Sequence, residues 1–479
     1  MKISGTPAGV DKSAGVVAPS QRAWAVVVTS AVTVISMLDQ TIANTALPTI
    51  AHDVNATASA SIWVINGYQL GLTVGIVPLA AAADILGYWR VFRVGLIVFI
   101  LASLACCLSH TLLALSAARF VQGVAGAALT VSATPINRLV FPTNMLGRAT
   151  GYSAMSVALG SAAGPIVSGV MLSFASWQWL FAINIPVGLA IYVLALKAIP
   201  KTPGHRGAFD LTSALMSVAM FGLAVFGVDA FGHDGATPLA AGEVLAAAIV
   251  GWIFIRRQRA TPLPMFAVDL FAQMRFTLAA FACFASFIAQ TIAYVALPFA
   301  FQTVMGHTPL QVGALLLPWL LAAAAMAPIS GRLADRYNSS RLSAIGLGIF
   351  SLGLLCATVM GTNPAPLDIA WRMALCGIGY GLFQSPNNRS MQNSVPRERS
   401  GGPQAIQSVA RAFGQTTGAV IVAIVFALDG YASAPGGISP AAVVQTLAIA
   451  TAFALIAALA SLWRGILAGS IRLGQPQVT

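Results

Sequence analysis

The feature that most constrains this 479-residue chain is a succession of apolar runs, each about 20 residues long and almost free of charge. A helix of about that length crosses the roughly 30 Å hydrocarbon core of a bilayer. Inside hydrocarbon every backbone N–H and C=O needs an internal partner, which leaves only helices or closed barrels. Barrel strands alternate polar and apolar residues, and these runs do not. Fourteen runs can be marked, near 24–46, 61–83, 91–110, 112–137, 149–172, 179–199, 209–229, 239–256, 276–299, 310–333, 341–360, 367–388, 403–428 and 441–463. The fold class expected is an all-α polytopic membrane protein. Composition agrees: 58% of residues are hydrophobic and 8% charged, against about 25% charged in a soluble domain. So few charges cannot cover a water-facing surface, which excludes a soluble enzyme, a disordered chain and a nucleic-acid binder.

The net charge of +12 is a record of topology. Lys and Arg concentrate in cytoplasmic loops. With fourteen spans both termini share one side, and that side takes 22 of the 25 basic residues, from Lys2, Lys12 and Arg22 through Arg90, Arg93 and Arg256 to Arg464 and Arg472. The opposite loops carry no Lys or Arg, only acids such as Asp53, Asp234 and Asp429. Both termini are expected in the cytoplasm, and the protein in the cytoplasmic membrane. The other three basic residues, Arg119, Arg372 and Arg411, fall within spans.

The remaining signals narrow the chemistry. Cys106, Cys107, Cys283, Cys356 and Cys376 lie in apolar runs without metal-site spacing and read as small hydrophobes. No signal peptide, phosphate-binding loop or metal cluster is evident, so no cofactor and no direct use of ATP are expected. Asn55-Ala56-Thr57 fits a glycosylation sequon, a weak pattern.

An internal repeat runs through the chain. Asp84 and Asp335, each just after a span, are 251 positions apart; Arg119 and Arg372 are 253 apart; Gly160 and Gly414, and Gly164 and Gly418, are 254 apart. Repeats of spanning helices are a signature of secondary transporters. The simplest division is a tail at 1–23, a six-helix bundle at 24–200, two inserted spanning helices at 201–262, a second six-helix bundle at 263–464 and a tail at 465–479.

Several motifs then stand together. They are Leu38-Asp39-Gln40-Thr41-Ile42-Ala43-Asn44-Thr45-Ala46-Leu47-Pro48 in the first span, and Leu115, Arg119, Gln122 and Gly123 in the fourth. The fifth span has Gly151, Gly160, Gly164, Pro165 and Gly169, and the sixth begins with Trp179, Phe181, Ile183, Asn184, Pro186 and Gly188. On these residues the chain resembles the fourteen-span drug:proton antiporter branch of the major facilitator superfamily, over nearly its whole length. The resemblance implies two six-helix bundles plus two inserted helices, and multidrug efflux coupled to protons. It also departs from the pattern. Ala80 holds a place usually taken by Gly, Ser168 replaces a Gly, and Tyr88 and Trp89 precede Arg90. In the second loop Asn338 stands for a Gly, and is expected to tolerate its left-handed conformation.

Asp39 is the principal candidate, because an ionisable group inside a span is costly and functional by default. It lies roughly 22 Å along its helix from Trp24, and Arg119 about 10 Å in from the outer end of an antiparallel span. The two are expected to pair while Asp39 is ionised and to separate on protonation. The second-half counterpart of Asp39 falls near Gln290 or Thr291, which cannot titrate. A single carboxylate suits a neutral or singly charged amphipathic cargo, expected to be cationic and to take turns with the proton on Asp39. Cargo contacts are expected from Asp39, Trp63, Asn66, Tyr68, Gln69, Tyr294, Phe301, Phe383, Asn387 and Arg411, since aromatic faces attract cations. Arg411 either lines the cavity or holds the cytoplasmic side closed. Arg372 either mirrors Arg119 or pairs with Asp368 four residues earlier. Asp229 and Glu243 flank the outer loop of the inserted pair, either wet or as a further proton or cargo contact.

For gating, Gly160, Gly164, Pro165 and Gly169 give the fifth span close helix approach and a bend. The two loop motifs supply Asp84 and Arg90, and Gly331, Asp335 and Arg336. Asp84 is expected at the helix start near Gly401, and Asp335 at the one near Gly147, each favoured by the helix dipole. The expected function is proton-coupled efflux of amphipathic compounds by alternating access, in a chain that is not an enzyme. The alternative is a dedicated exporter of one metabolite, siderophore or self-made toxin. The partners are a small amphipathic molecule, protons and the lipid bilayer, with no nucleic acid and a monomeric state.

Overall fold

The computed structural model describes residues 19–140, 146–200, 209–233, 238–261, 268–361, 363–392, 401–429 and 438–472. Its regular elements are helices: α1 (Pro19–Asp53), α2 (Ala58–Ser61), α3 (Trp63–Leu86), α4 (Tyr88–Cys107), α5 (Leu112–Val140), α6 (Leu146–Leu172), α7 (Gln178–Ala182), α8 (Asn184–Ala198), α9 (Leu211–His233), α10 (Pro238–Ala260), α11 (Met274–Phe299), α12 (Pro309–Arg336), α13 (Ser339–Thr358), α14 (Pro366–Gln392), α15 (Gly401–Ala427) and α16 (Pro440–Arg472). A 3-10 turn (Val268–Ala272) precedes α11, and a π-helical turn (Ala300–Val304) continues it.

Among the described residues, eleven helical stretches are long and apolar enough to cross a membrane. The other three expected spans are helices of different quality. The apolar part of α9 is Leu211–Gly227. In α10 the last turn carries Arg257 and Arg259, and α14 carries Asp368, Arg372 and Arg389.

The repeat in the sequence is a repeat in space. A side chain at Gly160 would strike Val34 and Met37, and one at Gly164 would strike Thr41; one at Gly414 would strike Phe284 and Phe287, and one at Gly418 Thr291. Thus α6 lies on α1 as α15 lies on α11, with partners 250 positions apart. Gly123 abuts the Tyr68 carbonyl as Gly377 abuts the Trp319 carbonyl, so α5 crosses α3 as α14 crosses α12. Glycines permit these approaches because nothing but hydrogen separates the backbones. The constant offset puts Ala289 opposite Asp39, one residue short of the expected Gln290, because α1 and α11 align by their glycine contacts.

The halves meet along two seams. On one, a Cβ at Gly169 would lie 2.9 Å from the Pro309 carbonyl, and one at Gly313 2.6 Å from the Pro165 carbonyl, which joins α6 to α12. On the other, Leu70, Leu72 and Val77 of α3 share an apolar cluster with Val409, Ala412 and Val420 of α15. The inserted helix α9 covers this second seam through Phe221 and Val225. Phe221 packs on Phe413 at 5.5 Å, and Phe226 stacks on Trp63 at 5.5 Å. Cross-half hydrogen bonds gather at the end away from the termini: Ser59 Oγ to Ala423 O at 2.8 Å, and Gln302 Nε2, in the π-helical turn, to Thr45 O at 2.8 Å. That end is closed.

The two loop motifs end their helices differently. Gly87 takes φ 91°, a value that favours glycine. Asn338 does not adopt the expected left-handed conformation. It has φ −63° and caps α13, its Oδ1 accepting from the backbone N–H groups of Ser340 and Arg341, as Asn does at helix starts.

Candidate functional site

Asp39 and Arg119 meet inside the first half, with side chains 0% and 1% exposed. Arg119 Nη1 donates to Asp39 Oδ2 at 2.6 Å. Asp39 Oδ1 accepts from Asn184 Nδ2 at 2.6 Å and from Gln122 Nε2 at 3.1 Å. Gln122 also donates to Ser103 Oγ at 2.8 Å, while its Oε1 accepts from Arg119 Nη1 at 2.7 Å and faces Cys106 Sγ at 3.6 Å. Arg119 Nε donates to Val64 O at 3.2 Å. Tyr68 and Phe181 cover the guanidinium, with ring centroids 4.4 and 5.4 Å from Cζ. Six elements (α1, α3, α4, α5, α7 and α8) thus converge on one ion pair.

The local sequence explains this convergence. Arg119 and Gln122 are three apart and therefore share a face of α5. Gly123 is next, and its missing side chain lets α5 close on the α3 backbone at Tyr68, within reach of the Val64 carbonyl. Charges buried this deeply persist only when paired and hydrogen-bonded, and here both are. A proton on Asp39 removes the charge that holds Arg119, and exchanges an acceptor for a donor facing Asn184 and Gln122.

A small cleft lies between the halves, lined by Thr41, Asn44 and Thr45 of α1, Ser161 and Pro165 of α6, Tyr294 of α11 and Leu316 and Leu320 of α12. Thr41 follows Asp39 by two residues and so projects from a different face of α1. Helix α1 therefore carries the ion pair on one side and cleft wall on the other.

Few of the expected cargo contacts face this cleft. Of them Tyr294 lines it; Arg411 does not, and is half-buried beside Phe287, with Cζ 6.0 Å from the ring centroid. Asp39 is sealed. Trp63 stacks on the inserted helix rather than facing the cleft. Tyr68 lies under Arg119, and Asn66 and Gln69 are 0% and 4% exposed. Helix α3 is enclosed by α5, α9 and α15, which is why the polar side chains of its first turns are internal. Phe301 and Phe383 are core at 0% and 1%. Asn387 instead accepts from Arg464 Nη1 at 2.7 Å.

The gating residues divide likewise. Gly160 and Gly164 pack on α1 of their own half, whereas Pro165 and Gly169 face α12 across the seam. Gly331 lies in α12 beside Ser385, and Arg90 and Arg336 are exposed. Asp84 is exposed and accepts from the Tyr88 hydroxyl, so the Tyr that departs from the usual pattern engages the motif's own carboxylate. Asp335 lies in α12, with its side chain outside the described residues, as is that of Asp229. Arg372 pairs with Asp368 at 2.9 Å and donates to the Cys356 carbonyl, so its local partner wins over symmetry with Arg119.

Sequence reasoning did not assign Asn184, Gln122, Ser103 or Cys106 to the ion pair. The signal for Gln122 and Asn184 was their place in the motifs around Arg119 and at the start of the sixth span. Arg464, expected among the cytoplasmic charges, has a side chain 1% exposed, bound to Ser340 Oγ and Asn387 Oδ1, a burial the sequence did not signal.

Comparison with known proteins agrees with this architecture. Uncharacterized transporter YebQ of Escherichia coli (strain K12) is 43% identical over 392 residues, covering 81% of this chain and 86% of that protein. Multidrug resistance protein Stp of Mycobacterium tuberculosis (strain ATCC 25618 / H37Rv) is 29% identical over 394 residues, 81% of this chain and 73% of that one. A crystal structure of the peptide transporter POT in complex with sulfate shares the fold, with TM-score 0.68 at 13% identity over 93% of this chain and 94% of that chain. The profile of the Major Facilitator Superfamily matches residues 29–419. A transporter's paired bundles, a cleft between them and this match lead to one conclusion: the chain belongs to the Major Facilitator Superfamily.

Proposed function

We propose that this protein exports amphipathic small molecules across the cytoplasmic membrane in exchange for protons, by alternating access of the cleft between its halves. The observation that carries the reading is the sealed Asp39–Arg119 pair on the helix that also forms cleft wall. Relatives named for multidrug resistance support it. In this reading both termini are cytoplasmic, 24–200 and 263–464 are the two bundles, and α9, α10 and α14 cross the bilayer with the other spans. The chain works as a monomer.

Protonation of Asp39 leaves Arg119 with neutral acceptors only: Gln122 Oε1, Val64 O and the more distant Asp39 backbone carbonyl at 3.5 Å. This loosens α1 from α5 and α8, and α1 transmits the change to its cleft face at Thr41, Asn44 and Thr45. The closed end opens by parting Gln302 from Thr45 and Ser59 from Ala423, with α6 turning on α12 at Pro165 and Gly169. On the opposite face, release of Asp84 from Tyr88 lets it dock at the start of α15.

Reconstituted protein tests the reading. Export against an imposed pH gradient is expected for wild type and absent for Asp39→Asn at equal membrane level. Undiminished pH-driven export by Asp39→Asn overturns it. A chemically varied panel separates a multidrug exporter from a dedicated one, which moves a single compound class.

A further inference from the structure

The expectation of a cationic cargo rested on Asp39, and in this conformation Asp39 offers a cation nothing. Its two oxygens take three donors and its side chain has no exposed surface. The place where α15 neighbours α11 and α14 carries the opposite sign. Arg411 stands ten residues into α15, about 15 Å from its start, and five residues inside its apolar stretch Ile406–Ala427. A charge there is costly and functional by default. Among the described residues no carboxylate lies within 4.0 Å of Arg411, and its nearest aromatic face, Phe287 at 6.0 Å, is at the edge of cation–π range.

The side chains around Arg411 form a graded surface. Gln407, Arg411 and Gln415 are four apart on α15 and half-buried, as are Gln384 and Asn388 on α14. Gln407 Nε2 donates to Asn388 Oδ1 at 2.6 Å, and Gln384 Nε2 to Tyr380 Oη at 2.9 Å. Gln415 Oε1 is buried with no hydrogen-bond partner among the described residues. On α11, Phe287, Gln290 and Tyr294 continue one face toward the cleft, where Tyr294 forms part of the wall. A guanidinium with no hydrogen-bond partner among the described residues, flanked by amides and aromatic rings, matches an amphipathic organic anion: charge to Arg411, ring to the aromatics.

We infer that the cargo is an amphipathic organic anion, a carboxylate or sulfonate on an apolar body, and that Arg411 holds its charged group. The inference rests on the export reading above. It changes the energetics. Exchange of one proton inward for one anion outward moves two charges in the same electrical sense, so the membrane potential drives transport together with the pH gradient. Exchange of one proton for a monovalent cation is electroneutral.

The test uses one naphthalene scaffold bearing a sulfonate, a carboxylate, a carboxamide or an aminomethyl group. Binding to purified full-length protein is measured by tryptophan fluorescence, and export is measured in liposomes with a potassium/valinomycin potential. Wild type is expected to bind the anions about tenfold tighter than the aminomethyl compound and to export them faster when the interior is negative. Arg411→Gln lowers the anion-to-carboxamide binding ratio about tenfold, and Arg411→Lys restores part of it. Preference for the aminomethyl compound, an unchanged ratio in Arg411→Gln, or no binding of any probe overturns the inference. Anion preference in binding, with export indifferent to the pH gradient, overturns the proton-coupled reading and leaves this one standing.

Discussion

Asn184, the first residue of α8, donates through Nδ2 to Asp39 Oδ1 at 2.6 Å, across 145 positions of sequence. This bond ties the last span of the first bundle to the carboxylate on its first span. A hydrogen bond to a charged group contributes about 1.5–3 kcal/mol. Asn184→Leu therefore slows pH-driven exchange by roughly tenfold or more, while Asn184→Asp places two carboxylates together and abolishes it. Exchange rates in liposomes check both.

Arg119 is the harder residue to lose. Removing it strands a buried carboxylate, a change that costs about 3–5 kcal/mol. Arg119→Gln is expected to lower folded yield and thermal stability in detergent. The double variant Asp39→Asn with Arg119→Gln regains stability without regaining exchange. Failure of the double variant to recover stability would show that the pair is not what Arg119 stabilises.

The close crossing of α3 and α5 predicts a contrast between glycines. A Cβ at Gly123 would meet the Tyr68 carbonyl, a backbone atom that cannot step aside, whereas one at Gly222 in α9 meets nothing within 4 Å. Gly123→Ala is expected to lower the unfolding temperature by several degrees and to impair the Arg119 contacts. Gly222→Ala is neutral or stabilising by up to about 1 kcal/mol, the helix preference of Ala over Gly. Thermal unfolding of the two variants side by side checks this.

The inserted pair has a pH-dependent clasp. Asp210, just before α9, bonds Ser213 Oγ at 2.5 Å and Arg257 of α10 at 3.0 Å. The Ser213 hydroxyl first, and Arg257 after it, hold the carboxyl down from 3.8 to about 2. A depressed acid stabilises the folded state above its unfolded pKa and loses that contribution as pH falls through the folded one. The α9–α10 clasp is therefore constant from neutral pH to about pH 4 and is lost by about pH 2. In Asp210→Asn that dependence is absent. Cross-linking of cysteines placed at the two helix ends, followed across pH, reads the difference.

Much of the fold was legible in the sequence because a bilayer leaves the backbone few choices. Run length marks the spans, and the repeat offset set by Gly160, Gly164, Gly414 and Gly418 reappears as matched helix crossings. The Asp39–Arg119 pair was legible for the same reason, since an acid and a base at similar depth in hydrocarbon have few alternatives to each other. Side-chain direction was less legible. Trp63, Phe301, Phe383 and Asn387 have the composition of a cargo surface, yet each is turned into a helix contact. The face a residue presents depends on which neighbour its helix meets, and the inserted α9 lies against α3 in a way no pattern along α3 records.

The sequence by itself determined the class of protein, the order of its spans and the residues that could bear charge within them. Hydrophobicity and charge act locally along the chain, so they can be read locally. Only the tertiary structure decided that Asp39 is shut in by Asn184 and Gln122, that Arg464 is internal, and that Arg411 has no carboxylate within 4.0 Å among the described residues. Those outcomes depend on contacts between residues up to hundreds of positions apart. They are settled where close-approaching backbones leave room for one side chain and not another.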